Sequence, residues 1–229
     1  VNARYFPRLA AAAVALAALP INPLFTTSAF AAPCPDVEVT FARGTDEPPG
    51  VGGVGQAFIG SLRSQVGGRT LGVYAVNYPA SDDLAPSASA GAVDAHAHVR
   101  DMVATCPNTK LVLGGYSQGA GVIDLTTISR APILGLNPDI LTADEAAHVA
   151  AVATFGNPSD RILGAPVNVV SDWYGAKAID LCAPGDPVCT PGGPALTLPS
   201  HDELFSPVHL SYQQSGMPAQ AATFVVGHL

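Results

Sequence analysis

From residue 37 onward, short runs of nearly unbroken apolar sequence alternate with longer stretches in which apolar residues recur every three or four positions. The short runs are VEVTFAR (37–43), LGVYAVNYP (71–79), KLVLGGY (110–116), HVAAVATFGNP (148–158) and KAIDLCA (177–183). Their apolar positions are continuous rather than alternating, which predicts strands buried on both faces. Helical spacing over 53–66, 87–105 and 118–130 predicts three helices between the strands, and MPAQAATFVVGHL predicts a last one over about 216–229. Strands and helices in this alternation imply an α/β fold, with a mostly parallel five-stranded sheet flanked by helices. The connections are long enough for right-handed crossovers. No repeat or linker interrupts residues 32–229, which read as one domain. The Pro- and Gly-rich stretch 184–208 predicts a long loop of the kind that carries function.

The N-terminus breaks the pattern. Arg4 and Arg8 precede AAAVALAAL, Pro20 and Pro23 interrupt the residues after it, and Ala29-Phe30-Ala31 sets small residues at the −3 and −1 positions of a cleavage site. That stretch is too short and too broken for a comfortable membrane span. Residues 1–31 are therefore expected to be a secretory signal cut after Ala31 or Ala29, leaving an extracellular or cell-wall-associated protein. The two arginines are not adjacent, which favours general secretion over a twin-arginine route.

Only 12% of the 229 residues are charged, and 23 Gly and 21 Pro point to tight turns rather than a charged helical bundle. The formal charge is −8, and removing residues 1–31 takes away two basic residues and no acidic one. Without clustered Lys and Arg the chain is a poor partner for nucleic acid. Four cysteines, Cys34, Cys106, Cys182 and Cys189, all lie in the exported part and suggest two disulfides with three possible connectivities. Their spacings lack the close pairs of a tetrahedral zinc site.

The candidate chemistry centres on Gly115-Tyr116-Ser117-Gln118-Gly119 at the junction of strand 110–116 and helix 118–130. G-x-S-x-G in a strand–turn–helix setting is the pattern of a nucleophile elbow, whose glycines let strand and helix pass too closely for a Cβ. The Gln118 N–H then points toward a reacting carbonyl oxygen, helped by the helix N-terminus. Such a serine needs an imidazole and an orienting carboxylate, and in α/β-hydrolases these follow in the order acid, then histidine. Of the downstream histidines, His148 opens a strand and His228 lies in the last helix, leaving His201 and His209. The candidate acid is Asp186 in CAPGDPVC, a loop that a Cys182–Cys189 bridge would clamp just past a strand end; Asp172, Asp180, Asp202 and Glu203 have weaker settings.

Two other motifs carry no chemistry on this reading. Gly50–Gly55 fits G-x-G-x-x-G, but RGTDEPP separates it from the preceding strand, so it lacks the tight turn a dinucleotide needs. In Asp94-Ala95-His96-Ala97-His98 the histidines would point about 200° apart on a helix, which suits a solvated face better than a metal. No cofactor and no metal are expected.

Together these residues resemble the cutinases, and most nearly the secreted cutinase-like serine esterases of mycobacteria. GGYSQGA (114–120), CAPGDPVC (182–189), SPVHLSY (206–212), CPDVEVTFARGTDEPPG (34–50) and VYAVNYPAS (73–81) carry the likeness, which spans essentially all of 32–229. The resemblance implies an α/β-hydrolase fold without a lid, with Ser117 as nucleophile, Asp186 as acid and His209 as base. It assigns the oxyanion hole to Thr45 and Gln118, and pairs Cys34 with Cys106 and Cys182 with Cys189. The implied function is hydrolysis of short- to medium-chain acyl esters, lipids or polyesters by a monomer. A lipase or phospholipase on the same scaffold, a serine peptidase and a catalytically idle binding protein are the rival readings. Leu84, Leu196, Leu198, Leu204, Phe205 and Val208 are the apolar residues expected near the mouth.

Overall fold

Five parallel strands stand in the order β2-β1-β3-β4-β5: β1 (Val37–Ala42), β2 (Leu71–Ala75), β3 (Lys110–Tyr116), β4 (Val149–Phe155) and β5 (Ala178–Leu181). The computed structural model describes residues 33–163, 166–190 and 196–229. The expected signal segment 1–31 lies outside the described residues. The central strands are buried at nearly every position, β1 at all six, β3 after the exposed Lys110 and β4 except for the half-buried Ala150, which is why their sequences show no polar alternation. Strand order reverses between β1 and β3, so the loops leaving their C-terminal ends diverge and open a crevice at that point. The register sets Ala42 beside Gly115 and Gly115 beside Thr154, bringing the three central strand ends level under that crevice.

Helices α1 (Gly52–Gln65) and α8 (Met217–Val226) pack on one face over Val39, Phe41, Ala153 and Phe155. Phe41, Phe58 and Phe155 meet there with ring centroids 5.9–6.4 Å apart. On the other face, α2 (Leu84–Thr105), α3 (Gln118–Thr127) and α4 (Ala143–His148) bury Leu111, Leu113 and Val152. Short helices α5 (Pro158–Leu163), α6 (Val167–Val170) and α7 (His201–Leu204) fill the later loops. Among the described residues no helix is long and apolar enough to cross a membrane.

Three local readings differ from the structure. The second strand ends at Ala75 instead of 79, because Tyr78 and Pro79 leave the sheet to accept hydrogen bonds from the Arg43 guanidinium through their carbonyls. His148 closes α4 rather than opening β4, which starts at Val149. Helix α4 went unread although TADE carries its signal: Thr142 Oγ1 accepts from Glu145 N at 3.3 Å while the Glu145 carboxylate accepts from Thr142 N at 2.7 Å.

Disulfides join Cys34 to Cys106 and Cys182 to Cys189, spanning 72 and 7 residues. On the loop-entropy model they contribute about 4.4 and about 2.5 kcal/mol. The first ties the entry to β1 to the end of α2; the second closes the turn that follows β5.

Candidate active site

Ser117 occupies φ 57°, ψ −123°, the strained backbone of a sharp strand-to-helix turn. Its N–H donates to Phe155 O at 2.9 Å and its carbonyl accepts from Ala120 N at 2.9 Å, so pairing on both sides holds a conformation that costs about 1–3 kcal/mol. A Cβ on Gly115 would overlap the Gly119 carbonyl, and one on Gly119 would overlap the Ala42 carbonyl. Both glycines are thus demanded by how closely β3, α3 and β1 approach.

The turn delivers the Ser117 hydroxyl to an imidazole. Ser117 Oγ lies 2.7 Å from His209 Nε2, and His209 Nδ1 lies 2.8 Å from Asp186 Oδ2. The carboxylate cannot donate, so Nδ1–H donates to Asp186 and Nε2 is free to accept from the serine. The three side chains are 2%, 1% and 0% exposed, placing the hydroxyl at the floor of a cleft. His209 starts a 3-10 helix, His209–Gln214, and the Tyr116 hydroxyl donates to its carbonyl at 2.6 Å. Gly156, at φ 56°, makes room for the ring: a Cβ there would sit 2.8 Å from His209 Cε1.

Asp186 is held on all sides. Val188 N donates to Oδ1 at 2.9 Å, and the Tyr212 hydroxyl donates to Oδ2 at 2.7 Å. Burial works to raise the Asp186 carboxyl, but the hydrogen bond and charge of His209, with the bonds from Tyr212 and Val188, outweigh it and hold the group below the usual carboxylate range. The loop is clamped from outside by Arg161, which donates to Pro187 O at 3.0 Å and Thr197 Oγ1 at 3.1 Å and pairs with Glu203 at 2.5 Å.

Thr45 faces the same cleft as Ser117, and its buried hydroxyl has no hydrogen-bond partner among the described residues. Its loop is strapped down. Asp46 N donates to Ala80 O at 2.7 Å, and the Glu47 carboxylate accepts from Gly44 N and Gly53 N, each at 2.7 Å. Gln118 opens α3, and its side chain is bound by Ser87 Oγ at 2.9 Å and Ser81 O at 2.8 Å. The amide plane is thereby fixed, and the backbone N–H stays at the helix N-terminus beside Ser117.

A model of the cutinase family matches residues 33–229. The chain belongs to the cutinase family. It is 50% identical over 207 residues to carboxylesterase Culp1 of Mycobacterium tuberculosis, covering 88% of this chain and 85% of the relative. It is 45% identical over 227 residues to phospholipase Culp4 of the same organism, covering 99% and 93%. Among solved structures, a Trichoderma reesei cutinase bound to a phosphonate inhibitor aligns at TM-score 0.63 and 34% identity, over 85% of this chain and 77% of that one.

In this cutinase-family chain two clefts flank Leu204, which stands in the wall of both, and Ser117 lines the first of them. One, of about 530 Å³, is lined by Thr45, Glu47, Tyr116, Ser117, Phe205 and Gln213 among others and carries the polar groups. The other, of about 560 Å³, runs over Gln118 and Gly121 between Leu84, Leu125, Ile133 and Leu198 and is mainly apolar. Leu196 and Val208 are exposed and line neither.

The remaining candidates lie elsewhere. The His201 side chain is 67% exposed and stacks on Phe205. His228 bonds Phe224 O and Ala176 O. His96 bonds Asp139 and Glu145 while His98 bonds Glu38, so the two diverge. Among the described residues, no three His, Cys, Asp or Glu are arranged to hold a metal ion. Sequence reasoning missed Tyr116, Gly156, Arg161 and Tyr212. Tyr116 and Tyr212 sit inside GGYSQGA and SPVHLSY, but only the fold reveals what their hydroxyls touch.

Proposed function

We propose that this chain is an exported serine carboxylesterase in which Ser117 is the nucleophile, His209 the base and Asp186 the acid. The observation that carries the reading is the unbroken hydrogen-bond line Ser117–His209–Asp186 at 2.7 and 2.8 Å, ending at a serine that lines the cleft it shares with Thr45. Family membership and relatives named carboxylesterase support ester hydrolysis as the reaction. As Ser117 Oγ attacks the ester carbonyl carbon, its proton passes to His209 Nε2, and Asp186 stabilises the imidazolium. Collapse of the tetrahedral intermediate returns that proton to the leaving alcohol and leaves an acyl-serine. Water, activated by the same imidazole, releases the acid. Thr45, through its hydroxyl or N–H, and Gln118 N–H stabilise the oxyanion, a contribution of about 3–4 kcal/mol per donor in serine hydrolases.

The apolar cleft is assigned to the acyl chain and the polar one to the alcohol. Glu47 in the alcohol cleft disfavours an anionic headgroup and favours a neutral one. Two disulfides and a leader-like N-terminus support an oxidising, extracellular setting, and the chain is proposed to act as a monomer.

The test is Ser117→Ala assayed on p-nitrophenyl butyrate. Turnover falls by about 10⁴-fold or more with the fold retained. A fluorophosphonate probe labels the wild type and not the variant. Undiminished turnover in the folded variant removes Ser117 from the mechanism, and casein cleavage by the wild type would move the reading to a peptidase.

A further inference from the structure

Tyr212 is fully buried, and three groups surround its hydroxyl. Ala183 N donates to it at 2.8 Å, and it lies 2.7 Å from Asp186 Oδ2 and 3.3 Å from Cys189 Sγ. The disulfide sulfur has no proton, Ala183 N–H has only a proton to give, and the ionised carboxylate can only accept. The phenolic proton therefore has one destination, Asp186 Oδ2. That same oxygen accepts from His209 Nδ1 at 2.8 Å. Tyr212 and His209 sit three residues apart on one 3-10 helix, whose three-residue turn sets both on the same side and aims both at a single oxygen.

This contact has two effects. The hydroxyl holds Oδ2 in line with the imidazole, since a carboxylate anchored only through Oδ1 by Val188 can still rotate. It also draws off part of the negative charge that the imidazole feels, as any donor to a carboxylate does. Without it the carboxylate is more basic and binds a proton on the imidazole more tightly, and a protonated imidazole cannot accept from Ser117. Burial raises the Tyr212 hydroxyl well above the ordinary tyrosine value, so it stays a donor across the working pH range.

We propose that Tyr212 is a positioning residue for ester hydrolysis, fixing the Asp186 oxygen that meets His209 and setting the acidic limit of turnover through the charge it shares. This rests on the Ser117–His209–Asp186 reading.

The test is Tyr212→Phe in the full chain, assayed on p-nitrophenyl butyrate from pH 4.5 to 9, beside Ser117→Ala. The expected result is a fall in kcat of about tenfold with KM unchanged, the size of one hydrogen bond to a charged group. The acidic limb of kcat/KM is expected to move to higher pH by about half a unit. A folded variant with kcat and limb unmoved overturns the proposal, and so does a loss of kcat with the limb unmoved, which is a structural effect alone. If Tyr212→Phe fails to fold, 3-fluorotyrosine placed at 212 by amber suppression supplies a stronger donor of nearly the same shape. The limb must then move to lower pH, and an unmoved limb again overturns the proposal. Full turnover in Ser117→Ala would instead defeat the triad reading, whatever Tyr212 does.

Discussion

The Tyr116 ring stacks on the His209 imidazole with centroids 5.1 Å apart, and its hydroxyl donates to the carbonyl of that same histidine at 2.6 Å. The residue immediately before the candidate nucleophile thus grips both ends of the candidate base, so the separation of the two reacting side chains does not depend on loop packing alone. Tyr116→Phe keeps the stacking and loses the bond. A stability loss of about 1 kcal/mol is expected, with a several-fold fall in kcat, read by denaturant unfolding and steady-state kinetics.

Gly156 and Gly185 make a matched pair of positive-φ glycines, at 56° and 83°. Alanine at either strains the backbone by about 1–2 kcal/mol. Only at Gly156 does the new methyl meet the imidazole; nothing lies within 4 Å of one at Gly185. Gly156→Ala is expected to lose at least tenfold more kcat than Gly185→Ala, and to lower Tm further because its methyl also meets buried rings. Equal kinetic effects would show that space beside the ring is not what Gly156 provides.

The two disulfides should separate stability from turnover. Replacing Cys34 and Cys106 by serine removes the larger loop constraint, about 4.4 kcal/mol, at a site remote from Asp186. Replacing Cys182 and Cys189 costs about 2.5 kcal/mol on the same model but frees the turn that holds the carboxylate. The second pair is expected to lower kcat more and Tm less than the first.

Gly121 lines the apolar cleft on α3, and a Cβ there meets only Pro158 Cγ at an ordinary 3.6 Å. Gly121→Leu suits the helix, by about 1 kcal/mol of propensity, while filling the space assigned to the acyl chain. Hydrolysis of C8 and C10 esters is expected to fall at least tenfold with acetate and butyrate esters little changed. A uniform loss across chain lengths would move the acyl chain to the other cleft.

Three carboxyls, Asp124 on α3, Asp160 on α5 and Asp180 on β5, lie close enough for their charges to act on one another. Burial, reinforced by the charge of Asp180, raises Asp124 to about 8; burial and the same neighbour raise Asp160 as well. A carboxyl raised in the folded state contributes its full stability below the unfolded value of 3.8 and loses it as pH climbs toward the folded value. Asp124→Asn removes that dependence. Its Tm relative to wild type is expected to rise steadily from pH 4 to pH 8 and then level off, measured by thermal melts across the range. A constant difference would mean that Asp124 does not titrate in the folded protein over that span.

Much of this architecture is written locally. The β-branched apolar runs specify buried strands because a strand covered on both faces has no polar side to show, and three of the five expected ranges hold to within two residues, the other two ending early at Ala75 and Phe155. The elbow is local too: Gly115, Ser117 and Gly119 lie within five residues, and their backbone demands depend on one strand–turn–helix junction. The capping boxes are equally local, Thr142 with Glu145 at the start of α4 and Ser200 with Glu203 at the start of α7. By contrast, nothing near Tyr78 tells the chain to leave the sheet, since the groups that draw it away belong to Arg43, 35 residues earlier.

Sequence alone determined the order of strands and helices, the strained serine turn and the short set of acids and histidines that can serve it, because each depends on residues within a turn or two of one another. Tertiary structure decided which of those groups meet. His209 rather than His201 faces Ser117, Tyr212 and His209 share one oxygen of Asp186, and Gly156 clears the space between them, across separations of 23 to 92 residues. Hydrogen bonds work over 3 Å of space and are indifferent to distance along the chain, so only the packed sheet, with its strand order and register, could bring these partners together.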